Sequence, residues 1–254
     1  MGKKGKTARL KRKPAPASWP IHRKEAVWVV KPSSGSHSLD KCIPLTLVLR
    51  EMLGVAQTRK EGKLILTEGK VMVNGVVYKK DDIPVGLMDV IALPDSGKYY
   101  RVIPSKHGLV LTPISKEESN HSLLRVENKS TVSNGVQIAL HNGSNMLIQV
   151  ADPKNPIEVP YETFDILKVT YPEKTITETL KTKEDNLAII TGGKNIGKVG
   201  KIIEIEKTVA KKRRQALVMI EDEKGVRYQT IMDLVFSIGK DAPMVNVLET
   251  SAVE

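Results

Sequence analysis

Apolar residues between positions 42 and 54 recur every three or four residues, the spacing of one face of an α-helix. The pattern predicts a short amphipathic helix that ends at Gly54, because glycine is suited to a helix C-cap. A second short helix is predicted to end at Gly69, since Thr58 and Glu61 have the spacing of a capping box and an apolar run follows. The apolar face of the first helix contains Leu45, Val48, Leu49, Met52 and Leu53.

A β-hairpin is predicted over residues 71–78. Its two apolar halves flank Asn74 and Gly75, a pair that tolerates the positive φ angles of a tight two-residue turn. Another apolar stretch over 86–91 predicts a following strand. The order in this part of the chain is therefore helix, helix, hairpin, strand.

Short β-like segments follow from residue 109 to residue 171. The segments 136–140 and 146–150 lie next to Asn-Gly pairs at 134–135 and 142–143, which predicts a second hairpin. A strand is predicted over 164–169, after several prolines. Residues 115–118 have the pattern of a helix cap. We interpret this block as a small β-barrel or sandwich with no combination of residues that suggests catalysis.

The last block begins with a strand and a glycine-rich turn. Residues 192–198 have the spacing of a phosphate-binding loop, but Val199 occupies the position where a Ser or Thr hydroxyl is needed. The β-branched residues that follow favour a strand over the required helix. A strand, a tight turn and a strand are therefore predicted.

Composition excludes several classes of protein. The chain has 254 residues and a single cysteine, Cys42, which excludes an internal disulfide framework and a Cys-rich zinc site. Its five histidines are widely spaced and form no paired metal motif. No apolar run is long enough to span a membrane or to act as a signal peptide. We expect a cytoplasmic protein without a cofactor, a metal or a small-molecule substrate.

Positive charge is concentrated at the N-terminus. The net charge is +11, from 40 basic and 29 acidic residues, and nine of the basic residues lie within the first 24, where there is no carboxylate. The rest of the chain is nearly neutral. Such a segment is typical of an arm that is disordered alone and lies along phosphates. Its cations are Lys3, Lys4, Lys6, Arg9, Lys11, Arg12, Lys13, Arg23 and Lys24.

A solubility tail is the alternative interpretation of this arm. Trp19 argues against it, because it lies among prolines, which stiffen an extended backbone, and its ring offers a stacking plane for a base. Trp19 is therefore a candidate RNA contact. His37, in a Ser- and Gly-rich stretch, is either an RNA contact or a solvated loop histidine.

Two segments resemble known RNA-binding elements. Residues 49–91 resemble the small module shared by ribosomal proteins, pseudouridine synthases and some tRNA synthetases, carried by Leu49-Arg50, Ala56-Gln57-Thr58-Arg59 and the segment 69–75. The resemblance implies that two helices meet structured RNA, although a solvated helix face is the alternative. The RNA-facing cations would be Arg50, Arg59, Lys60 and Lys63.

The glycine-rich turn resembles the KOW motif, which implies a five-stranded SH3-like barrel whose turn approaches RNA closely. The barrel implies later strands at 216–220, 226–230 and 234–238 and a basic hairpin loop at 211–214. The basic run at 211–214 is interpreted as an RNA contact, with a nuclear address as the alternative. The implied contact residues are Gly192, Gly193, Lys194, Asn195, Gly197, Lys198, Lys211, Lys212, Arg213 and Arg214.

Taken in order, these parts resemble the S4e family of small-subunit ribosomal proteins of archaea and eukaryotes, and the chain lacks the basic C-terminal segment of eukaryotic members. The resemblance implies a multidomain α+β protein in the archaeal form. Its parts would be a basic extension (1–41), an S4-like helical RNA-binding module (42–106), a central β-barrel-like domain (107–175) and a KOW barrel (176–254).

The function implied is a structural constituent of the small ribosomal subunit, bound to the 5′ domain of its ribosomal RNA and to neighbouring ribosomal proteins. An RNA-modifying enzyme is disfavoured, because the remaining blocks are too short and too rich in β-structure for a catalytic domain. A transcription elongation factor, suggested by the KOW motif alone, is disfavoured by the arm and the helical module.

Overall fold

Residues 9–133, 135–150, 159–206 and 213–247 are described by a computed structural model that consists mostly of antiparallel β-strands. Two strands of the N-terminal segment form a short ribbon, in which β1 (Leu10–Lys11) pairs with β2 (Trp28–Val29). A 3₁₀ turn at Leu39–Lys41 leads into β3 (Cys42–Pro44). From residue 9 onward the segment is therefore folded against the rest of the chain.

Both predicted helices are confirmed. Helix α1 (Leu45–Leu47) continues as a π-helical turn over Val48–Met52, and α2 spans Arg59–Thr67. Thr58 caps α2, since its Oγ1 accepts a hydrogen bond from the Glu61 N–H at 3.3 Å.

The predicted hairpin is confirmed as β4 (Met72–Val73) and β5 (Val76–Val77), joined by Asn74 and Gly75 at φ angles of 51° and 73°. It belongs to a five-stranded sheet with the order β5-β4-β7-β8-β9. The boundary predicted at 106/107 falls in the turn between β8 and β9. The further strands in this part are β6 (Pro84–Gly86, paired with β3), β7 (Val90–Leu93), β8 (Lys98–Ser105) and β9 (Gly108–Ile114).

The central sheet has the order β12-β11-β10-β13-β14. Its hairpin β11–β12 confirms the second predicted hairpin, although Asn134 lies outside the described residues. The cap predicted at 115–118 is present, since the Glu118 N–H donates to Ser115 Oγ at 3.2 Å, but the element that follows is only a 3₁₀ turn, Glu118–Asn120. The boundary predicted at 175/176 falls inside β14. The strands are β10 (His121–Val132), β11 (Gly135–Leu140), β12 (Asn145–Ile148), β13 (Ile166–Thr170) and β14 (Thr175–Leu180).

The C-terminal sheet has the order β18-β17-β16-β15-β19. It confirms the strands predicted on both sides of the glycine-rich turn and the three later ones. Short 3₁₀ turns lie at Pro94–Ser96, Arg213–Gln215 and Met232–Leu234. The strands are β15 (Leu187–Ile190), β16 (Val199–Glu206), β17 (Leu217–Glu221), β18 (Arg227–Ile231) and β19 (Val235–Gly239).

Two apolar clusters connect these parts. One contains Trp19 of the N-terminal segment together with Leu45, Leu66 and Val102, so the segment shares a core with both helices and β8. The other contains residues of all three five-stranded sheets. Its members include Met88, Ile103, Leu123, Ile166, Ile189 and Phe236.

Candidate nucleic-acid interface

Two cations of the N-terminal arm form hydrogen bonds to other residues of the arm itself. Arg12 is buried, and its Nη1 donates to the His22 carbonyl at 2.6 Å and to Glu25 Oε2 at 2.9 Å. The Arg23 guanidinium donates to four backbone carbonyls of residues 12, 13, 15 and 16. Arg12 therefore holds the turn of the arm together from a buried position, which corrects its predicted RNA contact. Arg23 holds the same turn but is only partly buried, so its predicted RNA contact stays a prediction.

Trp19 is buried rather than presented to RNA. Its side chain is 4% exposed, and its Nε1 donates a hydrogen bond to the Cys42 carbonyl at 2.6 Å. The prediction that this ring stacks on a base is wrong, because the ring fills the core beneath the helices. No local pattern in the sequence indicates this role, because the residues that cover the ring lie far away along the chain.

The remaining described cations of the arm, Arg9, Lys11, Lys13 and Lys24, are exposed. Arg9 and Lys11 lie over the ring of Trp28, with the Arg9 Cζ 5.8 Å and the Lys11 Nζ 5.9 Å from its centroid. Trp28 is half exposed, and sequence reasoning missed it because Val27-Trp28-Val29-Val30 has the pattern of a buried strand. Lys3, Lys4 and Lys6 lie outside the described residues.

The His37 side chain is also internal, being only 4% exposed. Its Nε2 lies 2.8 Å from Asp89 Oδ2, and the same carboxylate accepts hydrogen bonds from Asn74 Nδ2 and from the Gly86 N–H. Burial raises the pKa of Asp89, but the charge and hydrogen bond of His37 and the other bonds outweigh burial, so the pKa lies below its ordinary value. The predicted RNA contact of His37 is therefore wrong.

Gly86 makes room for this histidine. A Cβ at position 86 would lie 2.5 Å from the His37 Cγ, closer than two non-bonded carbon atoms can approach. His37 therefore packs directly on Gly86 and fixes the N-terminal segment against the strand β6.

Most of the cations predicted to face RNA from the two helices lie on α2 and are exposed. Lys60 and Lys63 are exposed, and Arg59 remains 59% exposed although its Nε contacts Asp81 Oδ2 at 2.7 Å. Arg50 lies outside α2 and forms an ion pair with the neighbouring Glu51 at 2.6 Å. Three of the four predicted cations therefore share one solvent-facing helix.

One side of the glycine-rich turn packs against the protein, and the other side faces solvent. Gly197 is buried at a φ of 82°, and a Cβ there would lie 2.9 Å from the Ser105 Cα of β8. Gly192 approaches Leu234 in the same way, with 2.9 Å between its ideal Cβ and a methyl carbon. The close approach predicted for these two glycines is therefore made to the protein itself.

The external side of this turn carries the residues that can reach a ligand. Gly193 and Lys194 are exposed, and Asn195 is partly exposed. Lys198 is also exposed, and its Nζ lies 5.9 Å from the centroid of the Tyr228 ring.

Arg213 and Arg214 connect the C-terminal sheet to the central sheet. Arg213 Nη1 lies 3.0 Å from Glu162 Oε2, and Arg214 Nη2 lies 3.1 Å from Glu127 Oε2. Both guanidinium groups also lie within 6 Å of the Phe164 ring centroid. The two side chains remain 44% and 49% exposed, so their predicted RNA contacts stay predictions beside this structural role. Lys211 and Lys212 lie outside the described residues.

His141 is a fully buried titratable group whose hydrogen-bond partners are backbone groups of the protein. Burial lowers the pKa of His141 to about 4. The neutral ring accepts from the Arg125 N–H through Nδ1 at 3.0 Å and contacts the Leu87 carbonyl through Nε2 at 3.1 Å. Among the described residues, no three His, Cys, Asp or Glu side chains are grouped as metal ligands. No helix in that part of the chain has the length and hydropathy needed to cross a membrane.

Two family profiles match the sequence. The RS4NT (NUC023) domain matches residues 4–40, and the Ribosomal family S4e matches residues 96–176. A crystal structure of the 30S ribosomal protein S4e from Thermoplasma acidophilum is similar in fold, with a TM-score of 0.64 and 28% sequence identity. The match covers 80% of this chain and 97% of that one.

Full-length relatives agree with these profiles. The small ribosomal subunit protein eS4 of Staphylothermus marinus is 44% identical over 251 residues, covering 98% of this chain and 99% of that protein. The eS4 protein of Desulfurococcus amylolyticus is 43% identical, with the same coverage. These relatives are ribosomal structural proteins, which confirms the prediction that the chain is not an enzyme. The chain belongs to the archaeal eS4 family of small ribosomal subunit proteins.

Proposed function

We propose that this protein is part of the small ribosomal subunit and binds the 5′ domain of small-subunit ribosomal RNA. The observation that carries this proposal is the 44% identity over nearly the whole length of an eS4 protein. Neighbouring ribosomal proteins and a cytoplasmic ribosome are the expected setting. Contacts to phosphates and to RNA shape fix the position of such a protein, and no bond is made or broken.

Three exposed surfaces are proposed to contact the RNA. The arm surface consists of Arg9, Lys11, Lys13 and Lys24, and the helix surface of Arg59, Lys60 and Lys63. The turn surface consists of Gly193, Lys194, Asn195 and Lys198. Each carries cations at the solvent-facing side of a folded element, which suits contact with a polyanion.

The domain organisation is proposed as well. The parts are an N-terminal extension, an S4-like helical module, a central β-barrel-like domain and a KOW motif on an SH3-like barrel. The glycine-rich turn between β15 and β16, in a five-stranded antiparallel sheet, supports the last assignment. Because β9 pairs with β8 and β14 pairs with β13, we propose boundaries near 114 and 180 instead of 106 and 175.

A salt titration tests the proposed RNA binding. The affinity of the full-length protein for a transcript of the 5′ domain is measured at several salt concentrations, for the wild type and for a variant with all four cations of the arm surface changed to Gln. If each of the four meets a phosphate, the slope of log affinity against log salt becomes less steep by roughly 3.

The control variant removes the same charge elsewhere. It changes four other exposed lysines, Lys116, Lys174, Lys183 and Lys224, to Gln and should keep the wild-type slope. An equal loss of slope in both variants would contradict the arm surface as a specific contact. Recovery of the native protein with RNA polymerase instead of small ribosomal subunits would contradict the proposed function itself.

A further inference from the structure

The β1–β2 ribbon has one apolar face and one cationic aromatic face. Leu10 pairs with Val29 and Lys11 pairs with Trp28 across the two strands. Because side chains alternate between the faces of a strand, each pair lies on its own face. Leu10 and Val29 pack against the core that contains Trp19, so Lys11 and Trp28 lie on the outward face.

Trp28 is unusually exposed for its residue type. Its side chain retains 50% of its accessible surface, in a chain where aromatic residues make up only 4%. Arg9 and Lys11 lie at 5.8 and 5.9 Å from the ring centroid, near the outer limit of a cation–π contact. Both cations are on long flexible side chains, which can turn toward a ligand without moving the ribbon.

The ribbon is held in place by the core of the protein. The Arg12 N–H donates to the Val27 carbonyl at 3.0 Å and continues the pairing of the two strands. The Arg12 side chain lies on the inner side with Leu10 and is buried, and Val30, directly after β2, is buried as well. The ring of Trp28 is therefore presented on a preformed support, which lowers the entropy lost when a ligand binds.

We propose that this outward face binds one unpaired nucleotide of RNA, with the base stacked on Trp28 and the flanking phosphates near Arg9 and Lys11. The proposal rests on the proposed function and assigns a stacking residue to it. Stacking on an aromatic ring requires an unpaired base, whereas phosphate contacts alone do not. The site should therefore distinguish single-stranded from paired RNA.

The charges beside the ring favour a nucleotide over an apolar protein segment. An apolar partner covering Trp28 would also cover Arg9 and Lys11, and it would offer these cations no polar or charged group of its own. A nucleotide covers the ring with its base and offers phosphates to the same two cations. The combination of ring and cations thus matches the two parts of a nucleotide.

The test measures binding of the full-length protein to an adenosine dodecamer and to an RNA duplex of equal length. Trp28→Leu should weaken binding of the dodecamer by about 5-fold to about 150-fold, because stacking contributes about 1 to 3 kcal/mol per base. Binding of the duplex and the melting temperature should remain at wild-type values. Trp28→Phe, which keeps a ring, should retain most of the affinity for the dodecamer.

The matched control is Leu147→Ala, which removes another exposed apolar side chain, on the strand β12, and should leave both affinities unchanged. Undiminished binding of the dodecamer by Trp28→Leu would overturn the nucleotide site, as would a wild type that does not bind the dodecamer. A variant that binds RNA normally but no longer sediments with small subunits would also overturn it, in favour of a protein partner. Failure of the wild type to bind the 5′ domain transcript would instead contradict the proposed function.

Discussion

Replacing Trp19 with alanine separates a structural role of this ring from a role in RNA binding. The side chain is 4% exposed in the cluster beneath the helices, and its Nε1 donates to the Cys42 carbonyl at 2.6 Å. Truncation of a buried Trp to Ala costs about 3 to 5 kcal/mol. Part of that cost is the Cys42 carbonyl, which loses its hydrogen bond while it remains buried. We therefore expect a loss of about 4 kcal/mol.

Thermal unfolding followed by circular dichroism measures this loss. For a chain of this size, each kcal/mol lowers the Tm by about 2 °C, so Trp19→Ala should lower the Tm by about 8 °C. Below the transition, the salt slope of RNA binding should match the wild type, because no cation has been removed.

Two further variants separate the contribution of the Trp19 N–H from that of its ring and compare a buried tryptophan with an exposed one. Trp19→Phe keeps an aromatic ring and removes the N–H donor, so its expected cost is about 1 to 3 kcal/mol. Trp28→Ala removes the exposed tryptophan and should change stability by less than about 0.5 kcal/mol. If Trp19→Ala melted within about 1 °C of the wild type and bound RNA more weakly, the conclusion that the buried Trp19 ring stabilises the fold would be refuted.

Further predictions concern the buried polar groups and the glycine-rich turn. Asp89→Asn should cost about 3 to 5 kcal/mol near pH 7, because it leaves the buried His37 without its charged partner. Burial alone would raise the pKa of Asp89, but His37 and the hydrogen bonds lower it below its ordinary value. The ionised Asp89 therefore stabilises the folded state above about pH 4, and this stabilisation is lost in stronger acid. The denaturant midpoints of the variant and the wild type should converge there. Since burial lowers the pKa of His141 to about 4, wild-type stability should fall between about pH 6.5 and about pH 4, and His141→Gln should lose this part of the pH dependence; parallel curves would contradict it. Gly197→Ala should lower the Tm more than Gly225→Ala, because both have a positive φ but only at position 197 does a backbone atom, the Ser105 Cα, lie within 3 Å of the new methyl group. Equal Tm values would contradict this.

Local signals predicted the helices and turns accurately. The cap at Thr58 and Glu61 and the turn at Asn74 and Gly75 depend on residues that are adjacent or three apart, so the sequence contains the whole interaction. The strand that follows the glycine-rich turn was predicted for the same reason, from a run of β-branched residues. Such features need no information about distant parts of the chain.

The roles of several candidate residues depend on partners far away in the sequence. Trp19 bonds to a carbonyl 23 residues later, His37 to a carboxylate 52 residues later, and Arg213 to a carboxylate 51 residues earlier. Composition and spacing report the chemical type of these side chains but not the oxygen atom that each one meets. Exposed cations and internal cations therefore look alike in the sequence, and Trp19 and Trp28 could not be told apart.

The division of the arm into internal and exposed residues determines how its RNA binding can be tested. Deletion of residues 1–24 would remove the exposed cations, but it would also remove Ala15 and Trp19 from the core and the Arg12 contacts from the turn. A weaker RNA complex after such a deletion would combine a loss of phosphate contacts with a loss of stability. Substitution of Arg9, Lys11, Lys13 and Lys24 alone leaves the core and the turn of the arm intact, so a change in salt dependence can be attributed to phosphate contacts.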